Sequence, residues 1–323
     1  MERFKNILLI ADGDCWRETA FQKALSLAQH NQADLTLIHI VDFPQASSLL
    51  GDTPYKKLKN ALIEERENDL DDVIRQAAKG MNITRKIIEG SMFPGIIREV
   101  QRQKYDLVIK CAEEKSSLYE RVFGSSDMHL LRKCPCPVWI MKTGDKGQYQ
   151  RILAAVDVEQ EDDEQSSGLN QQILELASSL ALSEFAELHI VHAWTAWGEG
   201  LLNTPRFSLA DDEEVADWVE KQRLADTEKM QQLIQSLEEV LGSKTREYIK
   251  PQIHTIKGEP HRVIPQVAKE IEADLVVMGT VARTGIPGLI MGNTAETILN
   301  RLDCSVLAVK PPGFVSPVTL EEQ

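Results

Sequence analysis

Four short segments in the first half of the chain are apolar at nearly every position: "ILLIA", "LTLIHIV", "DLVIK" and "PVWIM". A strand with one face in water alternates apolar and polar residues, whereas a strand covered on both faces does not need to. These runs therefore predict buried strands of a parallel sheet. Between them lie segments with apolar residues at helical spacing, such as "RETAFQKALSLAQH" and "PGIIREVQRQ". Strand and helix in alternation predict an open, doubly wound α/β sheet of the Rossmann-like type, with about five strands.

The same order then occurs a second time. "NILLIAD" is answered by "RILAAVD", "ADLTLIHIV" by "AELHIVHAW", and "LRKCPCPVWIMK" by "LNRLDCSVLAVK". These matches set Asp12 against Asp157 and His39 against His192. Gly90 and Gly258 lie 168 positions apart, and so do Lys142 and Lys310. A register held over that length marks a duplication. We read residues 1–142 as a first domain, 143–150 ("TGDKGQYQ") as a polar linker, 151–311 as a second domain and 312–323 as a tail. The longest insertions, 42–80 and 195–245, follow the second strand of each copy, and each carries a loop and a long charged helix. The last strands, "CPVWIMK" and "CSVLAVK", would be apolar edges in isolated domains. They are expected to cover each other, making the chain an intramolecular pseudo-dimer that is also open to further dimerisation.

Composition narrows the functional classes. The chain has 323 residues, of which 42% are hydrophobic and 27% charged, as in an ordinary globular protein. A net charge of -14 argues against nucleic acid as a partner. No apolar stretch approaches the ~20 residues of a membrane span. "MERFKNILLIADGD" lacks the layout of a signal peptide. Five cysteines, an odd number, suit reduced thiols in the cytoplasm.

The stretch "GTVARTGIPGLIMGNTAETI", residues 279–298, carries the candidate chemistry. Gly279 ends a predicted strand, Gly292 precedes a predicted helix, and no Asp or Glu lies between them. In open α/β sheets, ligands sit at the carboxyl ends of strands where the winding reverses. Asn293 reads as the helix N-cap, with Glu296 at the capping-box position. A helix start presents free N–H groups and the positive dipole end to an anion, and Arg283 adds a cation. Glycine lets backbone and ligand approach closely. The loop is not a Walker motif, because the GK[ST] ending is missing. Glycines that merely form turns are the plainer reading of the same residues.

Taken together, "MGTVARTGIPGLIMGNTAETIL" and "LLRKCPCPVWIMK" resemble the universal stress protein family, in its tandem-domain form, over essentially the whole chain. Members of that family that bind ATP carry G-x-x-G, nine residues, then G-[ST]. Gly279 and Gly292 keep the outer spacing; Ala282 and Asn293 depart from it, and Thr294 follows with a hydroxyl. The resemblance implies a nucleotide, ATP or a relative with or without Mg²⁺, in the second copy. Asp157 would meet the nucleoside, backbone near Val191 and Met278 would line the adenine, and Gly279, Arg283, Gly292, Asn293 and Thr294 would surround the phosphates. It further implies a stress-response protein that signals through partner proteins.

The first copy reads as a weaker site built from Asp12, Lys115, Gly124, Ser125 and Ser126. There Cys111 replaces Gly279, Glu114 replaces Ala282 and Asp127 replaces Ala295. Both carboxylates oppose a phosphate.

Other features carry less. "CPC" at 134–136 offers two thiols where structural zinc takes four ligands, and Cys304 matches Cys136, so packing thiols are expected and no metal site. His39 and His192 read as structural or pocket-wall residues, and His261 as an exposed helix position. The acidic run at 159–165 reads as a solvated loop. No general base, P-loop lysine or paired Mg²⁺ carboxylates stand at convincing spacing, so no catalytic residue is assigned. The alternatives to nucleotide binding are a scaffold, a binder of a small apolar ligand walled by Trp194, Trp197, Leu201 and Leu202, and a slow ATPase.

Overall fold

The computed structural model describes residues 4–13, 15–42, 52–77, 81–113, 123–145, 147–158, 164–196, 212–241, 249–281 and 291–320. The first copy begins with β1 (Asn6–Ile10), a π-helical turn at Trp16–Ala20 and α1 (Phe21–Asn31). β2 (Asp34–Val41), α2 (Asp52–Gln76), β3 (Ile83–Glu89) and α3 (Met92–Gln103) follow. β4 (Leu107–Cys111), α4 (Ser125–Lys133) and β5 (Val138–Met141) complete it. The second copy repeats the order with β6 (Arg151–Val156), α5 (Glu164–Glu184), β7 (Glu187–Trp194), α6 (Asp212–Leu241) and β8 (Gln252–Lys257). It ends with α7 (Pro260–Glu270), β9 (Leu275–Gly279), α8 (Asn293–Leu299) and β10 (Ser305–Val309).

The chain divides into two compact units. One comprises residues 1–148, 280–292 and 303–323, the other residues 149–279 and 293–302. The limits are not those of the copies, because β10 belongs to the first unit. In that unit the strand order is β3-β2-β1-β4-β5-β10. β1 to β5 are parallel, as the unbroken apolar runs of β1, β2, β4 and β5 indicate, and β10 runs antiparallel to β5. Trp139 lies opposite Leu307, Ile140 opposite Val306 and Val138 opposite Ala308. Trp139 and Leu307 are also each other's counterparts in the repeat, so the pairing is symmetric about them, as the matched last strands predict.

The second unit holds β9-β6-β7-β8, all parallel. Its register repeats that of the first copy. Ile7 pairs with Leu35 and Leu107, and its counterpart Ile152 pairs with Leu188 and Leu275. The central strands of both units are buried along almost their whole length. Long helices stand in both insertions, as the sequence indicates. β3 and β8 are half-exposed strands, paired only to β2 and to β7 among the described residues.

Candidate functional site

In each copy the first strand lies between strands that follow it in opposite directions: β1 between β2 and β4, β6 between β7 and β9. The winding reverses there, which opens a crevice at the carboxyl end of the first strand. Asp12 and Asp157 follow β1 and β6 at that end.

In the second copy the register brings three predicted residues to this point. Val191 and Met278 flank Ala155 on its two sides, two positions before Asp157. The backbone of Asp157 is clamped by Asn170, whose Oδ1 accepts the Asp157 N–H at 3.1 Å and whose Nδ2 donates to the Asp157 carbonyl at 2.7 Å. His192 is fully buried on β7, with Nδ1 3.4 Å from the Val156 carbonyl. Burial lowers its pKa, which favours the neutral imidazole. Gly279 ends β9, and a Cβ on it would lie 2.7 Å from Leu169 Cδ2. Its lack of a side chain is thus used by an apolar neighbour. Asn293 and Thr294 are exposed in the first turn of α8. The helix starts at Asn293, so Gly292 takes the cap position expected of Asn293, and Glu296 falls one place beyond the capping box. The Gly292 N–H donates to Thr280 O at 3.3 Å. Arg283 and Ala282 lie outside the described residues, as do Trp197, Leu201 and Leu202.

The first copy is arranged differently. Lys110 and Asp127 form a buried ion pair, Nζ to Oδ1 at 2.8 Å. The other carboxylate oxygen of Asp127 accepts the N–H of Glu113 at 3.0 Å and of Gly124 at 2.9 Å. Gly124 caps α4, with Ser125 exposed and Ser126 half-buried behind it. Cys111 is buried at the end of β4, and its thiol is pushed well up by the neighbouring Cys15 thiol and by burial. Lys115 and Glu114 lie outside the described residues.

Asp12 is half-buried and lines a cavity with Gly13, Trp16, Arg17, His39, Arg66 and Asp69. His39 Nδ1 is 2.5 Å from the Ala11 carbonyl. A carbonyl only accepts, so Nδ1 is the donor of this pair. Arg17 and Arg66 share Asp69 Oδ2 at 3.1 and 3.3 Å. The Arg17 guanidinium stands 5.4 Å over the Trp16 ring. Sequence reasoning missed Trp16, Arg17, Arg66 and Asp69, because two of them arrive on α2, which reads only as a charged helix. It also missed Lys110, for which a signal existed: a lysine inside an otherwise apolar parallel strand needs a buried partner.

The thiols Cys134, Cys136 and Cys304 are buried, with the first two sulfurs 3.6 Å apart. Among the described residues no group of three metal-ligating side chains comes together. No described helix is long and apolar enough to cross a membrane.

Known proteins agree with this architecture. The sequence profile of the Universal stress protein family matches residues 3–142 and again residues 148–310. The chain is 30% identical to the Universal stress protein E homolog of Haemophilus influenzae over 319 residues, covering 96% of this chain and 98% of that protein. It is 28% identical to Universal stress protein E of Escherichia coli K12, covering 100% of this chain and 99% of that one. Among solved structures it is similar to the functionally unknown protein PA1789 of Pseudomonas aeruginosa, at TM-score 0.67 and 28% identity over 96% of this chain and 94% of the other. Duplicated folds, matched registers and full-length similarity lead to one conclusion: the chain belongs to the universal stress protein family, as a tandem of two such domains.

Proposed function

We propose that this stress-response protein binds a nucleotide, ATP or a close relative, at the carboxyl ends of β6, β7 and β9, and acts through partner proteins in the cytoplasm. The observation that carries the reading is the switch point of the second copy, where Val191 and Met278 flank the strand that leads to Asp157. Asp157 would hold the nucleoside part. The phosphates would lie on the backbone N–H groups of Gly292, Asn293 and Thr294, with Thr294 offering its hydroxyl, Arg283 its charge and Gly279 a close approach. These groups bind and orient, and none of them is assigned a chemical step.

Calorimetric titration of the full chain with ATP and Mg²⁺ tests this. One site per chain is expected, lost in Asp157→Ala and retained in Asp12→Ala. Gly292→Val is expected to weaken binding about tenfold or more, because a Cβ crowds the approach. Asn293→Ser is expected to hold or improve affinity. Equal affinity for wild type and Gly292→Val would remove the proposed phosphate seat.

A second reading is supported by Gly279, which makes room for Leu169. If the second crevice is closed by apolar packing, the protein is a scaffold or takes a small apolar ligand. No thermal shift with ATP, together with a shift from an apolar probe such as 8-anilinonaphthalene-1-sulfonate, would favour that reading.

A further inference from the structure

The start of α4 already holds an anion. Asp127 is the third residue of the helix. Its Oδ2 accepts two backbone N–H groups, of Glu113 at 3.0 Å and Gly124 at 2.9 Å. Its Oδ1 accepts Lys110 Nζ at 2.8 Å, and that ammonium also donates to Cys111 O at 3.0 Å. The two side chains are 0% and 1% exposed. Converging N–H groups at a helix start, joined by a buried ammonium, are the donors that capture a carboxylate or phosphate from solution. Here the carboxylate belongs to the chain. A second carboxylate packs on the capping glycine: a Cβ on Gly124 would lie 1.8 Å from Glu113 Oε2 and 2.7 Å from Glu113 Cβ.

The second copy lacks all three charged side chains of this device. Counting 168 positions on, Lys110, Glu113 and Asp127 become Met278, Val281 and Ala295. Ammonium and carboxylate are absent together. That is the physical requirement, since either one alone would be a buried charge without its partner.

We propose that Lys110 and Asp127 form an internal lock, in which the Asp127 carboxylate is the resident occupant of an anion seat. Glu113 shields the seat, and the first copy thereby refuses anionic ligands. This holds whether or not the second copy binds a nucleotide, because every group it uses lies in the first.

The test is anion rescue in the full chain. Asp127→Ala empties the seat and leaves Lys110 buried; its Tm in chloride is expected to fall by about 10 °C. Formate, at matched ionic strength, is expected to restore at least about half of that loss in a saturable manner. Wild type and the double variant Lys110→Met/Asp127→Ala are expected to gain less than about 2 °C from the same exchange. An Asp127→Ala response to formate no larger than the wild-type response overturns the proposal. If Asp127→Ala does not fold in chloride, refolding from urea is compared in formate and in chloride; recovery in formate alone supports the lock, and equal yields overturn it. Adding Glu113→Val to Asp127→Ala is expected to raise tripolyphosphate binding by one site per chain over wild type. An unchanged stoichiometry would overturn the shielding role of Glu113.

Discussion

The end of β4 with the start of α4, and the end of β9 with the start of α8, are counterparts in the two copies with opposite contents. Both leave the sheet beside the central strand of their copy, and both enter a helix behind a glycine, Gly124 or Gly292. In the first, a lysine, an aspartate and two backbone N–H groups close on one another out of water. In the second, Met278 and Ala295 stand at the two charged positions, and the strand ends at a glycine pressed by Leu169. The strand registers, which fix the core, are shared residue for residue. Divergence sits at the strand ends, where it comes in compensating sets.

Breaking one member of a set should cost most. Lys110→Met, which installs the residue of the second copy, leaves the Asp127 carboxylate buried without its cation. It is expected to destabilise the first unit by about 3–5 kcal/mol. Adding Asp127→Ala should recover most of that loss, since the pair then resembles Met278 and Ala295. Urea denaturation of both variants measures the coupling directly. Additive losses would show that the two residues do not act as a pair.

The counterpart lysines Lys142 and Lys310 give a pH-dependent comparison. Lys142 Nζ is partly exposed and reaches Asp303, its carbonyl at 2.9 Å and its carboxylate at 2.7 Å. Lys310 is buried, and its Nζ donates to Leu131 O at 2.6 Å, Arg132 O at 3.2 Å and Thr280 Oγ1 at 2.6 Å. Two of these acceptors are carbonyls of the last turn of α4, where the helix dipole favours a cation. Burial nonetheless lowers the Lys310 pKa to about 7, against 10.5 for the ordinary side chain. Between those values the unfolded chain binds the proton more tightly. The contribution of Lys310 therefore rises with pH, by about 1.4 kcal/mol per unit, and is lost as pH falls towards 7. Lys310→Met should remove that slope, whereas Lys142→Met should leave it intact. Identical slopes for wild type and Lys310→Met between pH 7 and 10 would mean that the three acceptors keep Lys310 protonated throughout.

The sequence makes the frame legible because burial on both faces leaves a plain mark. β1, β2, β4 and β5 appear as apolar runs, and duplication gives their counterparts a second reading. β3 ("ITRKIIE") and β8 ("QIHTIK") carry charged and polar residues between apolar ones, because they are half-exposed strands. No run marks them. The lock escapes notice for another reason. Lys110 and Asp127 are 17 positions apart, and an aspartate in a first helical turn looks like an ordinary dipole partner. Only its pairing with a lysine inside a strand, and the joint change to Met278 and Ala295, betray it. Glu113, which packs on Gly124, is a further acid at the glycine that the sequence does not single out; Glu114, which it does, lies outside the described residues. The first-copy cavity depends on where α2 lands, which periodicity does not give.

A smaller effect is expected at the strand-end glycine. Gly279→Ala brings a Cβ within 2.7 Å of Leu169 Cδ2, the mobile end of a leucine. The expected loss is about 1–2 kcal/mol, since the side chain yields before the backbone does. Leu169→Ala in the same chain should absorb the added methyl and remove the penalty of Gly279→Ala. A Gly279→Ala penalty that persists over Leu169→Ala would show that the glycine serves something other than this packing.

The smallest effect separates the two turns that lead into β2 and β7. α1 and α5 both end in a left-handed residue, Gln32 at φ 50° and Phe185 at φ 56°. Both close with the same hydrogen bond from the next residue, Ala33 N–H to Ala28 O and Ala186 N–H to Ala181 O, each 2.9 Å. Glycine is the residue that meets this conformation without a Cβ penalty. Phe185 gains nothing in return from burial, because it is 97% exposed. Phe185→Gly is therefore expected to stabilise the chain by about 0.5–1 kcal/mol, the relief of left-handed strain less the greater freedom of an unfolded glycine. Gln32→Gly should do the same to within a few tenths of a kcal/mol, since the backbone is equivalent and Gln32 is also at the surface. Thermal denaturation of the two single variants at low protein concentration measures both gains. A loss for Phe185→Gly beside a gain for Gln32→Gly would mean that the phenylalanine ring is covered in solution, and repeating the melt across a range of chain concentrations would tell whether a second copy covers it.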